Sequence, residues 1–328
     1  VSVPAELASA LAGHEEAWRE WRSAVAGPRM HHGWILAGRK GLGKASFAQA
    51  AARELVAEPG VPQPAGEHAD IITLTNLPAT PADEKKREEG EPHQLKRNIT
   101  VDQVRAMQRR LTTRPTLGSR RAIIIDPADD LEPAASNALL KSLEEPPLGT
   151  VFLLVAHRPG RLLPTIRSRC RTILFPPLTP QQMDAVLRAN APGADAATRE
   201  AAAAAAGGSP GAALEYVALD LGPMHQLMTR IAERGDRDLS LRGALASALG
   251  TRPDRTRQLA ALDLARAVAA GRMAEVETAG IPALADTHAE LARLSGEAGT
   301  YNYDPGLLVL QIGTLLARLA APRATADG

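Results

Sequence analysis

Apolar residues in the first half of the chain fall into short unbroken runs separated by stretches of helical period. Trp34-Ile35-Leu36-Ala37, Ile71-Ile72-Thr73-Leu74, Ala122-Ile123-Ile124-Ile125-Asp126 and Val151-Phe152-Leu153-Leu154-Val155-Ala156 have the length and composition of strands buried on both faces. Thr172 to Phe175 supplies a fifth candidate. Between the strands, one helix is expected from about Lys44 to Ala57. A second is expected behind an Asp102 cap, with Val104, Met107 and Leu111 on one face, and a third from about Ala134 to Leu143, ended by Pro146-Pro147. Strands alternating with helices predict an α/β domain on a largely parallel sheet. The stretch from Pro78 to Arg97 is rich in Pro, Glu, Lys and Arg without apolar period, and a solvated, mobile loop is expected there.

The pattern changes at Pro176-Pro177-Leu178-Thr179-Pro180. Strand signals nearly vanish and alanine, which favours helix at little side-chain entropy cost, becomes very abundant. Thr179 can cap a helix with Pro180 at its first position. Further helical pieces near Thr198–Ala206, stopped by Gly207-Gly208, and from Pro210 to Leu219 complete a small helical unit. From about Pro223 the chain reads as a bundle with helices near Met224–Arg234, Leu239–Leu249, Arg255–Ala270, Pro282–Leu294 and Asp304–Ala321. Asp304-Pro305 is a well-formed start, a cap followed by proline at the first helical position. Three units are therefore expected, residues 1–176, 177–222 and 223–328. A chain of 328 residues is also longer than one core usually supports.

Composition narrows the chemistry. Aromatic residues make up only 3% of the chain, so its cores must be built from Leu, Ala, Val and Ile. With 38 basic and 37 acidic residues the formal charge is +1, unlike that of a strongly basic nucleic-acid binder; a role on DNA would need a local basic patch or partners that supply most phosphate contacts. Cys170 is the one cysteine. That excludes an intramolecular disulfide and a cysteine-rich zinc site, and it fits a reducing, cytoplasmic setting. No basic segment followed by an apolar core opens the chain, so no signal peptide is expected. Leu307 to Ala321 is apolar but short and carries Gln311 and Arg318, so it reads as a packed helix and no membrane partner is expected.

The first candidate for chemistry follows the first strand. Gly38-Arg39-Lys40-Gly41-Leu42-Gly43-Lys44-Ala45-Ser46 carries the frame of a phosphate loop: a glycine, four residues, then Gly43 and Lys44, set between strand and helix. Gly38, Gly41 and Gly43 let the backbone curl with its N–H groups inward, and Lys44 can reach terminal phosphates. The bland alternative is a purely structural strand-to-helix turn. Where a Ser or Thr hydroxyl would bind Mg²⁺ the chain has Ala45, and Ser46 points about 100° away around the helix. Asp126, at the end of the strongest strand, stands where a metal-directing carboxylate belongs, but Pro127 follows it instead of a second carboxylate to orient water. Asp129 and Asp130 lie nearby and read first as capping or solvated residues. This loop can hold phosphate, ATP or ADP weakly, or nothing. It is poorly built for metal-assisted hydrolysis in cis, and no metal site of its own is expected.

The second candidate is a cluster of guanidinium groups. Arg161, Arg167, Arg169 and Arg171 fall within a short helix-and-turn region after the fourth strand. Arginine grips phosphate through a rigid donor fork and can stabilise a transferring phosphoryl group from across a subunit interface. A solvated surface or intradomain ion pairs explain the same spacing, and Cys170 is most simply a small buried residue.

Ser136-Asn137-Ala138-Leu139-Leu140-Lys141-Ser142-Leu143-Glu144-Glu145-Pro146-Pro147 and Leu162-Leu163-Pro164-Thr165-Ile166-Arg167-Ser168-Arg169-Cys170 carry a resemblance, with weaker echoes at His31-His32 and Tyr301-Asn302-Tyr303-Asp304-Pro305. The chain resembles the delta-prime subunits of bacterial DNA polymerase III clamp loaders, in the AAA+ family. The resemblance implies a P-loop AAA+ α/β domain with a parallel sheet, a small helical lid and an all-α collar that joins five subunits in an incomplete ring. It implies that Arg169, in the Ser-Arg-Cys motif, is an arginine finger acting in trans on an adjacent ATPase subunit that holds ATP and Mg²⁺. The partners implied are the gamma/tau and delta subunits, the sliding clamp indirectly, and primed DNA within the complex. The role implied is that of a relatively rigid, non-hydrolysing stator.

Three departures from the family pattern qualify the resemblance, and the missing parts of a cis ATP site among them agree with a subunit that acts on a neighbour. Ala45 replaces Ser or Thr, the four zinc-binding cysteines of many relatives are absent between Val56 and Asp70, and Gly208-Ser209-Pro210-Gly211-Ala212-Ala213 lacks the arginine that ATP-using relatives present. His157 reads either as a polar sensor or as a cap of the next turn. Asn137 and Lys141 share a helix face and suit either DNA or a neighbouring subunit. Two rival functions remain: an independent AAA+ ATPase with an unusual metal shell, and a plain nucleic-acid-binding module built on the arginine cluster.

Overall fold

The computed structural model describes residues 13–28, 30–274, 278–298 and 303–320. The readings that touch Tyr301, Asn302 and Ala321 lie outside them. The chain divides into two compact units that meet at Pro177 and Leu178.

Unit 1 is built on five parallel strands: β1 (Gly33–Ala37), β2 (Ile71–Thr75), β3 (Arg121–Asp126), β4 (Thr150–Ala156) and β5 (Arg171–Leu174). Their order is β2-β3-β4-β1-β5. In the central strands β1, β3 and β4 both faces are covered, so neither set of alternating positions is polar, whereas the edge strands β2 and β5 leave Thr73, Thr75, Arg171, Thr172 and Leu174 exposed. Ile35, Ile123, Ile125, Phe152 and Leu154 pack on one face with Val104, Met107 and Leu111 of the helix Val101–Leu111 and with Leu139 and Leu143 of the helix Pro133–Glu144. The intervening residues face Glu15–Ala26 (α1) and Lys44–Val56 (α2), where Trp21 meets Trp34 with ring centroids 5.7 Å apart and Phe47 at 6.5 Å. In this order β1 has β4, β3 and β2 on one side and β5 on the other. Its carboxyl end is therefore a switch point of the topology, the place where open α/β sheets build ligand sites.

The segment from Pro78 to Arg97 departs from expectation. It contains a helix, α3 (Pro81–Glu88), closed by a short antiparallel bridge between Pro78 and Leu95. Local polar bonds hold it in place of an apolar face. The Thr80 hydroxyl donates to Asp83 Oδ2 at 2.6 Å and accepts from the Asp83 N–H at 3.2 Å, and Gln94 N–H donates to Asp83 Oδ1 at 3.1 Å. The helix Val101–Leu111 (α4) is also capped two residues earlier than expected: Thr100 is the N-cap and its N–H donates to Gln103 Oε1 at 3.0 Å, while Asp102 lies inside the first turn. Pro133–Glu144 is α5 and the short helix Pro164–Arg167 is α6.

Unit 2 is all helical among its described residues: α7 (Pro180–Asn190), α8 (Ala196–Ala206), α9 (Pro210–Val217), α10 (Gly222–Arg234), α11 (Ser240–Leu249), α12 (Arg255–Gly271), α13 (Ile281–Ala298) and α14 (Pro305–Ala317). Thr179, Asp195, Ser209, Asp254 and Asp304 each accept a backbone N–H at a helix start, the satisfaction that helix N-termini require. Alanines 201, 202, 205, 213, 260, 261 and 265 are buried, so small side chains fill much of the interhelical space. Helices on either side of the 222/223 position pack together: Tyr216 donates to Asp263 Oδ2 at 2.9 Å, and Arg257 of α12 bonds the carbonyls of Leu219, Ala248 and Leu249. Among the described residues no helix is long and apolar enough to cross a membrane.

Candidate functional site

The glycine turn springs from the carboxyl end of β1. Gly38 N–H donates to Ala156 O of β4 at 3.2 Å, and Phe175 N–H donates to Ala37 O at 2.8 Å, so the turn starts pinned between two strand ends. Space there admits no side chain: a Cβ on Gly38 would lie 2.4 Å from Phe175 O. Gly41 and Gly43 have φ of 82° and 77°, left-handed values that favour glycine, and Gly43 then caps α2.

Lys44, 2% exposed, turns back on this loop. Its Nζ donates to Gly38 O at 2.7 Å and to Arg39 O at 2.5 Å. Burial pushes its pKa down from 10.5 to about 8, against the attraction of Asp126 and Asp129. Burial raises the carboxyl of Asp126, against the pull of Lys44. Gly38, Gly41, Gly43, Lys44 and Asp126 are thus brought into one neighbourhood. Ala45 is exposed on the first turn of α2 and Ser46 is half-buried, and the position after the lysine offers no oxygen.

Asp129 is committed to the backbone: its carboxylate accepts from the N–H groups of His157 at 2.8 Å and Arg158 at 3.2 Å. Asp130 accepts from Asn76 Nδ2 at 3.1 Å. His157 is half-buried with Nδ1 enclosed and unbonded, and burial holds its pKa below the ordinary imidazole value. His14 was not singled out by sequence reasoning, yet its Nε2 meets Leu42 O at 2.7 Å and its ring packs on Phe175 at 4.8 Å. Burial pushes the pKa of this imidazole down, and because a carbonyl can only accept, its Nε2–H donates to Leu42 O of the turn.

Arg169 stands at the other end of the sheet. It precedes β5, whose first residue, Arg171, is in register with Trp34 near the start of β1, whereas Leu174 is in register with Ala37. Strand length separates the two ends by roughly 13 Å. Arg169 Nη1 donates to Thr165 O at 3.0 Å, and Nη2 pairs with Glu144 Oε1 at 2.8 Å. The arginine side chain is 36% exposed. Arg161, Arg167 and Arg171 are exposed as well, Arg171 with its guanidinium 5.9 Å from the Trp34 ring centroid. Burial drives the Cys170 thiol up to about 12, so it is a packed residue and no nucleophile.

The family model for "DNA polymerase III, delta subunit" matches residues 13–179. The chain belongs to that family. The match covers about half of the chain and contains Gly38, Gly41, Gly43, Lys44, Asp126 and Arg169. The chain is 37% identical over 161 residues to the DNA polymerase III subunit delta' of Pseudomonas aeruginosa, covering 45% of this chain and 44% of that protein. It is 33% identical over 203 residues to the subunit delta' of Escherichia coli, covering 57% and 54%. It is also 31% identical over 186 residues to the subunit gamma/tau of Mycobacterium bovis, covering 56% of this chain and 31% of that one. Among solved structures, a gamma-subunit-related protein from Thermotoga maritima aligns with a TM-score of 0.47 at 16% identity, covering 92% of this chain and 98% of that one. This member of the DNA polymerase III clamp-loader family thus matches about half the length of the delta' relatives. Within it, the glycine turn and the Ser-Arg-Cys turn occupy opposite ends of one sheet.

Proposed function

We propose that the chain is a delta-prime-type stator of a bacterial sliding-clamp loader, giving Arg169 in trans to the ATP site of a neighbouring subunit. The observation that carries this reading is the placement of Arg169. Its guanidinium is partly exposed and lies at the amino end of the sheet, while the chain's own glycine turn leaves the carboxyl end. An arginine so placed serves a phosphate held by another subunit. In cis the turn is a poor magnesium site: Ala45 offers no oxygen, Pro127 follows Asp126, and Lys44 is bonded to its own loop carbonyls. No nucleotide is required there, and any ATP, ADP or phosphate it takes is bound weakly and without turnover.

The neighbour of this proposal is a gamma/tau-type ATPase holding ATP and Mg²⁺, with a delta-type subunit elsewhere in the ring. Residues 177–222 act as the lid and 223–328 as the collar of an AAA+ chain. The complex opens the sliding clamp and sets it on primed DNA in the cytoplasm. As charge builds on the transferring phosphoryl group, Arg169 neutralises part of it, a contribution worth roughly 10³–10⁵ in rate in other NTPases. In the reconstituted loader, Arg169→Ala is expected to leave assembly intact and to lower DNA-stimulated ATP hydrolysis. Unchanged hydrolysis at the adjacent site overturns the finger role.

A further inference from the structure

We infer that Glu144 is the positioning residue for Arg169, holding the guanidinium where a neighbouring triphosphate meets it; this rests on the finger reading above. Arg161 and Arg167 are exposed, and among the described residues neither side chain makes a hydrogen bond or an ion pair. Arg169 alone of this group is tied at both terminal nitrogens, to Thr165 O at 3.0 Å and to Glu144 Oε1 at 2.8 Å. The two acceptors come from different elements, α6 and the last residue of α5. Each is anchored: Ile166 is fully buried in α6, Leu143 is 1% exposed beside Glu144, and His32 Nε2 bonds Leu143 O at 2.8 Å. The pair therefore joins two fixed points, and the arginine loses its free rotation before any partner arrives.

Stability does not explain the pairing. The side chains are 36% and 49% exposed, and exposed ion pairs contribute little to folding. Glu144 also closes a helix, the end at which the backbone dipole disfavours a carboxylate. Positioning does explain it. A guanidinium has five N–H donors, and the Thr165 and Glu144 bonds use one on each terminal nitrogen. Three remain for phosphate oxygens, in a fork already oriented.

The test uses the reconstituted loader, with steady-state ATP hydrolysis on primed DNA read for kcat and KM separately. Glu144→Ala should lower kcat by roughly three- to tenfold, the range open to ordering one exposed arginine, with KM for ATP little changed. Glu144→Gln keeps the acceptor and should recover most of the loss. In an Arg169→Ala background Glu144→Ala should cause no further loss, because the two residues act as one unit. If Arg169→Ala lowers kcat while Glu144→Ala matches the wild type or raises it, positioning is overturned and the finger stands. Additive losses in the double variant also overturn positioning. No loss with Arg169→Ala overturns the finger reading itself.

Discussion

Gly38 separates the structural demands of the glycine turn from its chemistry. Adding one methyl group there places a Cβ 2.4 Å from Phe175 O and 3.0 Å from Phe175 Cβ. Something must move by about 1 Å to restore ordinary contact, and the atom in the way is backbone, fixed by the Phe175 N–H bond to Ala37 O at 2.8 Å. Overpacking of this kind costs about 1–3 kcal/mol, offset by about 0.4–1 kcal/mol from the stiffer unfolded chain. A net loss of roughly 1.3 kcal/mol is expected for Gly38→Ala without any ligand. All three tryptophans, Trp18, Trp21 and Trp34, lie in unit 1, so urea unfolding followed by tryptophan fluorescence reports on that unit alone. With an m-value of about 2 kcal/mol per molar, the midpoint should fall by about 0.6 M. Gly160→Ala is the control: an added methyl meets nothing within 4 Å, and its midpoint should hardly move. A Gly38→Ala shift no larger than that of Gly160→Ala would refute the reasoning.

Two further predictions concern titratable groups. Lys44 has a folded pKa of about 8 against an ordinary 10.5, so between these values the folded protein has released a proton that the unfolded chain still holds. Stability from this group therefore rises as pH climbs through that window: relative to Lys44→Met, the wild type should gain on the order of 2 kcal/mol between about pH 7 and pH 10, and a pH-independent difference in unfolding free energy would contradict this. Cys170, held near 12 by burial, should react with a thiol–disulfide reagent at pH 8 more than about 100-fold slower in the folded protein than in urea; equal rates would show an open thiol.

The central strands β1, β3 and β4 were legible because burial on both faces leaves almost no polar positions to blur them, while the edge strands β2 and β5, with exposed Thr73, Thr75, Arg171 and Thr172, carry a weaker signal yet fall near the predicted runs. The helix α1 was missed although Ala17, Trp18, Trp21, Ala24 and Val25 recur at helical spacing over Glu15–Ala26 and turn one face inward. The helix α3 was missed as well. It is fixed by Thr80, Asp83 and Gln94, and its one signal was Thr80-Pro81 with an acid three residues after the threonine, a capping pattern inside a charged run. For the candidate site, the glycine frame and Arg169 were readable from spacing. Three features were not, because each joins residues distant in the chain or depends on folding back: the Lys44 bonds to its own loop, the His14 contact with Leu42, and the pairing of Arg169 with Glu144, 25 positions earlier.

The central claim is that this chain completes a neighbour's site and turns over nothing in its own. The direct measurement is ATP hydrolysis by the gamma/tau-type subunit on primed DNA, with delta present, as this chain is titrated in. The wild type should raise turnover to a plateau, Arg169→Ala should assemble without raising it, and the chain by itself should hydrolyse no ATP with Mg²⁺. Equal stimulation by both forms, or sustained Mg²⁺-dependent turnover by the chain alone that Lys44→Ala abolishes, would contradict it.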